Sequence, residues 1–321
     1  MVVVRKILAL LLLGALTTAA FAADPAEDLL ASGHVDDAIA LLQTRIRNAP
    51  KDAESYNLLC RAYFAVTQWD RGISACEKAA SLAPDNSRYH MWLGRLYGEK
   101  ADRVNFLSAA SLAGKVRSEF ETAVRLDPAN VDARTDLAEF YLEAPGIVGG
   151  GRDKAEAQAK TLADLDPAKA YWVKGRLAEK SKDMAAAETN YRAAIAVSHG
   201  SANAWLNLAL FYRHHQRLDQ MEDALNHAVS AQMGGNTTTL MEAAEILIRE
   251  GRNFPGAIQM LHRYLSGTTV EAAPAFKAHY LLGTVLEKEG DKQAAKQEYR
   301  AALSMASGFS SAQEALNRLN R

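Results

Sequence analysis

The chain has 321 residues, with 37 basic against 38 acidic side chains, a net charge of −1, and 49% hydrophobic but only 7% aromatic content. This balance gives no electrostatic footing for a nucleic acid or an anionic membrane surface as partner. Frequent alanine, few prolines at regular places and the lack of alternating Val, Ile and Thr runs exclude a β-rich fold and indicate an all-α one.

At the N-terminus, Arg5 and Lys6 precede an apolar run at residues 7–16, and Ala20-Phe21-Ala22 forms a small-x-small pattern. This reads as a secretory signal peptide over residues 1–22, cut near Ala22. The run is shorter than the about 20 residues that a membrane span requires, although an uncleaved N-terminal anchor is the alternative. The expected address is periplasmic or secreted, with no stable membrane insertion after cleavage. Residues 23–321 are then expected to form a single array.

The array is a repeat. A degenerate first unit near residues 26–50 carries Leu29-Leu30, then a helix-like stretch to Ile46 and Pro50. The unit from Ala53 reads Tyr56-x-x-Leu59-Cys60-x-x-Tyr63, followed by Gly72, Cys76, Ala79 and Pro84. The unit from Ser87 repeats this as His90-x-x-Leu93-Gly94-x-x-Tyr97, and carries extra residues at 99–115. The unit from Val131 contains the glycine-rich stretch EAPGIVGGGRDKA, residues 143–155. Further units start near Ala168, Ala202, Thr238 and Phe276; two of them read Trp205-x-x-Leu208-Ala209-x-x-Tyr212 and His279-x-x-Leu282-Gly283-x-x-Leu286. Residues 310–319 look like a terminal helix that caps the last face, which gives about eight helix pairs in all. Small residues on one helix let its partner approach, large ones fill the gap to the next pair, and proline stops the second helix.

These residues resemble the tetratricopeptide repeat (TPR) family, over nearly all of residues 23–321. The resemblance implies a right-handed α-solenoid whose concave face is lined by the first helix of each pair and binds a protein or peptide. Carried over position by position, that face is expected to present Asn57, Arg61, Phe64, Arg88, Met91, Arg95, Trp172, Arg176, Asn203, Leu206 and Arg213. Arg61, Arg95 and Arg176 share one repeat position, where arginine could fork onto a partner carboxylate; Glu139 interrupts the stripe. The full lysine and asparagine set of the family's carboxylate clamp is absent. The competing expectation is that these arginines are solvated or paired within the array. In the same register Cys60 and Cys76 fall on facing positions of one pair, so they form either a disulfide in an oxidising compartment or two buried thiols.

Elsewhere the sequence offers little chemistry. None of the eight histidines has metal-ligand spacing, and His90 and His279 occupy packing positions of the repeat. No nucleophile elbow occurs. No catalytic residue, cofactor or metal is expected. Gly146-x4-Gly151 has the glycine spacing of a phosphate loop, but Arg152-Asp153-Lys154 follows it, without the hydroxyl, and a helix rather than a strand precedes it. It reads instead as a helix-to-helix turn: Pro145 ends one helix, Asp153 caps the next, and Ala155 takes the small position. The functional expectation is a non-enzymatic exported scaffold that binds through its concave face, with envelope assembly as its suggested setting. The alternative is an accessory protein that uses loop 145–152 (Gly146, Gly149, Gly150, Gly151 and Arg152) to hold a small anion or a partner.

Overall fold

The computed structural model describes residues 24–231 and 238–321; the expected signal segment, 1–22, lies outside them. The described chain is helical, with one isolated β-bridge between Val270 and Ala273. Its helices follow as antiparallel pairs. α1 (Pro25–Ala31) and α2 (Val35–Asn48) form the first, short pair, and α3 (Ala53–Ala65) with α4 (Trp69–Leu82) the second. Then come α5 (Ser87–Ala101) with α6 (Phe106–Leu126), and α7 (Val131–Glu143) with α8 (Arg152–Leu165). The second half comprises α9 (Pro167–Lys180) with α10 (Met184–Val197), α11 (Ala202–His214) with α12 (Leu218–Ser230), and α13 (Thr238–Glu250) with α14 (Phe254–Leu265). α15 (Ala275–Glu289) and α16 (Lys292–Met305) form the last pair, and α17 (Ser310–Leu319) packs on α16. The fold is an α-solenoid.

Five successive first helices, α3 to α11, start on a polar cap. Asp52, Asn86, Asn130, Asp166 and Ser201 accept from backbone amides of the turn that follows, and such a cap contributes about 1 kcal/mol. Within a pair, a small residue meets a ring. A Cβ on Gly175 would come within 3.0 Å of the Tyr191 ring, and one on Gly283 within 2.7 Å of the Tyr299 ring. In the second pair the equivalent positions are Cys60 and Cys76, which are bonded to each other with their Cα atoms 5.2 Å apart. A cross-link over this 16-residue separation contributes about 3 kcal/mol in the chain-entropy account.

A second device fixes one pair to the next. The hydroxyl at the end of a first helix donates to a carboxylate on the preceding pair: Tyr97 to Glu77 at 2.6 Å, Tyr141 to Glu121 at 2.9 Å, Tyr212 to Glu188 at 2.7 Å. At the start of the array Gln43 takes the carboxylate's place and donates to Tyr63 at 3.3 Å. The same tyrosine rings are buried, so one side chain provides both apolar packing and the register between pairs.

The array returns on itself. Arg61 on α3 donates from Nε to Glu271 Oε1 at 2.8 Å and from a second nitrogen to Oε2, across 210 residues of sequence. Glu27 on α1 stands 3.7 Å from the same guanidinium. The amide of Ser307 donates to Asp36 on α2 at 2.8 Å. Gly33, between α1 and α2, lies so close to the start of α15 that a Cβ there would sit 2.8 Å from the Ala275 nitrogen. Phe276, Ala302, Ala306, Phe309 and Ala312 belong to the same buried cluster as the core of the first pairs. The first and last units therefore share a seam.

The extra residues at 99–115 do not form a free loop. They extend α5 to Ala101 and start α6 at Phe106, which makes α6 the longest helix here at 21 residues. Asn105 caps it through the Ser108 amide.

Candidate functional site

The inner-face arginines are spoken for. Besides Arg61, Arg95 donates to Asp136 at 2.6 Å, and Arg213 to Glu250 at 2.5 Å. Arg176 reaches Glu143 at 2.6 Å, with Glu179 and Glu139 at 3.5 and 3.6 Å. Arg88 pairs with Glu54 at 2.5 Å. The competing expectation, pairing within the array, describes this stripe. Three of the expected lining residues are not on a free surface at all: Asn57, Met91 and Leu206 are buried. Asn57 is fully enclosed, with no protein partner for its amide among the described residues. The register put them on the first helix of each pair but could not tell its inner face from the flank that packs on the neighbouring helix. Phe64 and Trp172 are half-buried among apolar neighbours, with Phe64 edge-on to Trp69 and Trp92; Asn203 is exposed.

The glycine turn is built for compactness. Residues 146–148 make one turn of 3-10 helix, and Gly149 follows at φ 100°, a left-handed conformation that glycine adopts without strain. A Cβ on Gly149 would collide with the Arg117 guanidinium, and one on Gly150 with the Ala144 carbonyl, whereas Gly146 faces open space. The amides of Val148, Gly149, Gly150 and Gly151 all donate to carbonyls of the same turn or of Tyr141. These four amides are therefore occupied within the turn and are not available to cradle an anion. Arg152 is engaged with Glu156 and Ser181. Asp153 is not the cap that the sequence suggested: α8 opens two residues earlier, with Gly151 as a cap lacking a side chain. Asp153 sits in the first turn instead, where its charge still favours the helix. Ala155 is fully buried at the small position.

What the turn does present is Ile147, 90% exposed. Across the groove from it stands Phe106 at the start of the extended α6, 77% exposed, followed in sequence by Leu107 at 79%. They are the three most exposed large apolar side chains among the described residues. Between Phe106 and Ile147 runs a groove of about 710 Å³, walled by the ends of α5 and α7, the first half of α6 and the turn. Phe120, Phe140 and Val116 give it an apolar surface, and Ala109, Ala110 and Ala113 keep it open. Its charged lining is Arg95 against Glu99, Asp102, Asp136, Glu139 and Glu143. Burial pushes the Asp136 and Glu139 carboxyls above the usual range, against the opposing pull of Arg95 and Arg176.

Of the expected site residues, Phe64 and Arg95 line this groove and Gly146 to Arg152 lie at or beside it; Arg61, Arg213 and Asn203 do not. Phe106, Leu107 and Ile147 were not singled out from the sequence. The available signal was two insertions in successive units, each carrying large apolar residues outside the repeat frame. Among the described residues no group of three or more His, Cys, Asp and Glu stands ready to hold a metal ion, and no helix is long and apolar enough to cross a membrane.

Tetratricopeptide repeat models match residues 29–97, 174–236 and 276–309, together more than half of the chain. No curated protein matches the sequence. Among solved structures, yeast Tom70 is similar at a TM-score of 0.57 and 15% identity, over 95% of this chain and 66% of its own. The APC/C hetero-tetramer Cut9-Hcn1 matches at 0.42 and 14%, over 92% of this chain and 54% of its own. A thermophilic TPR protein of Thermus thermophilus gives 0.46 and 17%, over 70% and 95%. The chain thus spans about half to two thirds of the length of the first two, and the likeness is one of fold. With repeat models matching at both ends and in the middle of a solenoid of stacked pairs, the chain belongs to the tetratricopeptide repeat family.

Proposed function

We propose that this chain is an exported, non-catalytic interaction scaffold, and that it seats a segment of a protein partner in the groove between α5, α6, α7 and the 145–151 turn. One observation carries the reading: Phe106 and Ile147, two of the three most exposed large apolar side chains among the described residues, line one groove, and the third, Leu107, follows Phe106 in sequence. Exposed apolar surface gathered in one place marks an interaction site more than scattered exposure does. Arg95, Asp136 and Glu139 belong to both the groove and the inner wall, so this site is a local form of concave-face binding. The paired arginines elsewhere on that wall offer a partner less, since their ion pairs would have to be broken first. An envelope address rests on residues 1–22 and is tested by fractionation.

The test is a photo-crosslinking amino acid placed at Ile147, at Phe106 and at exposed Lys78 on α4 as control. A partner bound in the groove gives adducts from the first two positions and none from the third. Adducts from Lys78 alone, or from none of the three when the cell extract is complete, would sink the groove.

A further inference from the structure

We infer that the segment this groove accepts is a helix with an apolar face flanked by lysine or arginine. The inference rests on the groove reading above and adds the chemistry of the occupant.

The helical part follows from what the lining lacks. Its side chains are apolar or charged, with no Asn, Gln, Ser or Thr among them. Most of the wall is helix, whose backbone groups bond within the helix, and in the turn the amides of Val148 to Gly151 are bonded as well. An extended peptide laid here would leave its own amides and carbonyls unpaired, a cost repeated at every residue. A helix satisfies its backbone internally and asks only for side-chain packing. Ala109, Ala110 and Ala113 leave the room for its backbone to approach α6.

The basic part follows from the charges. Five acids and one base line the groove. Asp136 is answered by Arg95, Glu99 by Arg103, and Glu143 by Arg176 and Lys180. Glu139 has one ion-pair partner among the described residues, Arg176, at 3.6 Å and shared with Glu143 and Glu179, with Lys169 acting on it from farther off. Asp102 has no ion-pair partner among the described residues and is exposed at the rim. Seating an apolar helix strips water from Asp136 and Glu139, which burial already disfavours as charges. A partner that brings a cation to Glu139 and Asp102 offsets that desolvation, and one that brings a carboxylate adds repulsion to it.

The probe is a fluorescent, end-capped model helix of leucine, alanine and lysine, with leucines at i, i+3, i+4 and i+7. It is compared with the same peptide carrying glutamate for lysine and with a proline-interrupted version of the lysine peptide. Anisotropy on the intact protein is expected to give binding of the lysine helix at least about tenfold tighter than of the other two. The double variant Asp102→Asn, Glu139→Gln narrows the lysine-to-glutamate gap, and the change is attributable to the site because its thermal unfolding matches the parent. Equal binding of lysine and glutamate peptides that is still lost on Phe106→Ser overturns the basic partner and leaves the groove standing. Equal binding of the proline version overturns the helix. Binding indifferent to Phe106→Ser and Ile147→Ser overturns the groove itself. Concentration-dependent dimerisation abolished by the same two changes assigns the groove to a second copy of this chain and overturns the inference. Failure of all three peptides to bind overturns it too, while adducts at Ile147 would then keep the groove.

Discussion

The seam and the groove are built from the same repeat and end in opposite states. At the seam, Phe276 and Phe309 meet at 5.1 Å inside a shared core, and Arg61, 13% exposed, forks onto Glu271. At the groove, Phe106 and Ile147 face each other across open space. In the first case Arg61, Phe276 and Phe309 lie in the repeat frame, with Glu271 in the connection between α14 and α15, and a neighbouring pair is there to cover them. In the second the residues lie in insertions, at 99–115 and 145–151, for which no neighbouring pair has a matching surface. Stacking consumes what the frame presents and leaves over what the insertions add.

The comparison breaks most forcefully at Arg61. Arg61→Glu sets a third carboxylate beside Glu271 and Glu27 and leaves them unanswered. Breaking a fully buried pair costs about 3–5 kcal/mol, an upper bound for this pair, whose side chains are 13% and 22% exposed. The urea midpoint should fall accordingly, and small-angle scattering should report a larger radius as the two ends part. Arg213→Glu is the sharper control: it breaks the pair with Glu250 inside the array, so it should lower stability without changing the radius. An unchanged radius in Arg61→Glu would mean that the seam holds by packing alone. The same placement undermines Arg61 as a probe of partner binding, because any loss of capture would be confounded by the opened seam.

The glycine turn divides next. Gly150→Ala drives a methyl into the Ala144 carbonyl, whereas Gly146→Ala adds one to open space. The first should cost about 1–3 kcal/mol of local strain, read as faster amide exchange at the start of α8. The second should stay within about 0.5 kcal/mol of the parent. Equal effects would show that the turn is looser than its close contacts imply.

Much of this was legible in the sequence, for a definite reason. Positions such as Cys60, Gly94, Gly175 and Gly283 are set by one local geometry, the approach of two helices, so each copy repeats the same residue class. The fold class and the facing of Cys60 and Cys76 could be read from that recurrence. The seam could not: Arg61 and Glu271 are 210 residues apart, and nothing local reveals that the array curves far enough for them to meet. Nor could the groove, because Phe106 and Ile147 belong to separate insertions whose meeting depends on how far α6 extends. The burial of Asn57, Met91 and Leu206 was missed for a related reason: one register position on a helix does not say which neighbour the next pair brings.

The clasps between pairs lie between seam and groove in exposure, and acid should loosen them first. Burial alone would raise the Glu188 carboxyl, but hydrogen bonds from Arg217, Tyr212 and Arg192 outweigh it and lower the pKa to about 2. A depressed carboxylate contributes stability that is fully present above its ordinary range near 4.5 and is lost as pH falls from there toward 2. Glu188→Gln should therefore flatten the acid limb of the stability curve between those values. It should also leave the seam's scattering radius unchanged at neutral pH. A curve that keeps its full acid slope would shift the burden to other carboxylates, Glu287 with its Arg318 partner first among them.

The smallest effect on stability belongs to the groove. Phe106→Ser with Ile147→Ser removes two side chains that bury little in the free chain, so almost no transfer free energy is lost. Phe106 follows the cap Asn105 rather than providing it, and Ile147→Ser leaves the glycines of its turn in place, so neither local structure depends on them. Unfolding should stay within about 0.5 kcal/mol of the parent. Solubility should rise with the patch gone, and capture of the partner should fall. If the double variant instead destabilises the chain by as much as a core truncation, about 2–5 kcal/mol, Phe106 and Ile147 are covered in solution. The groove would then be a second seam, closed by the array itself.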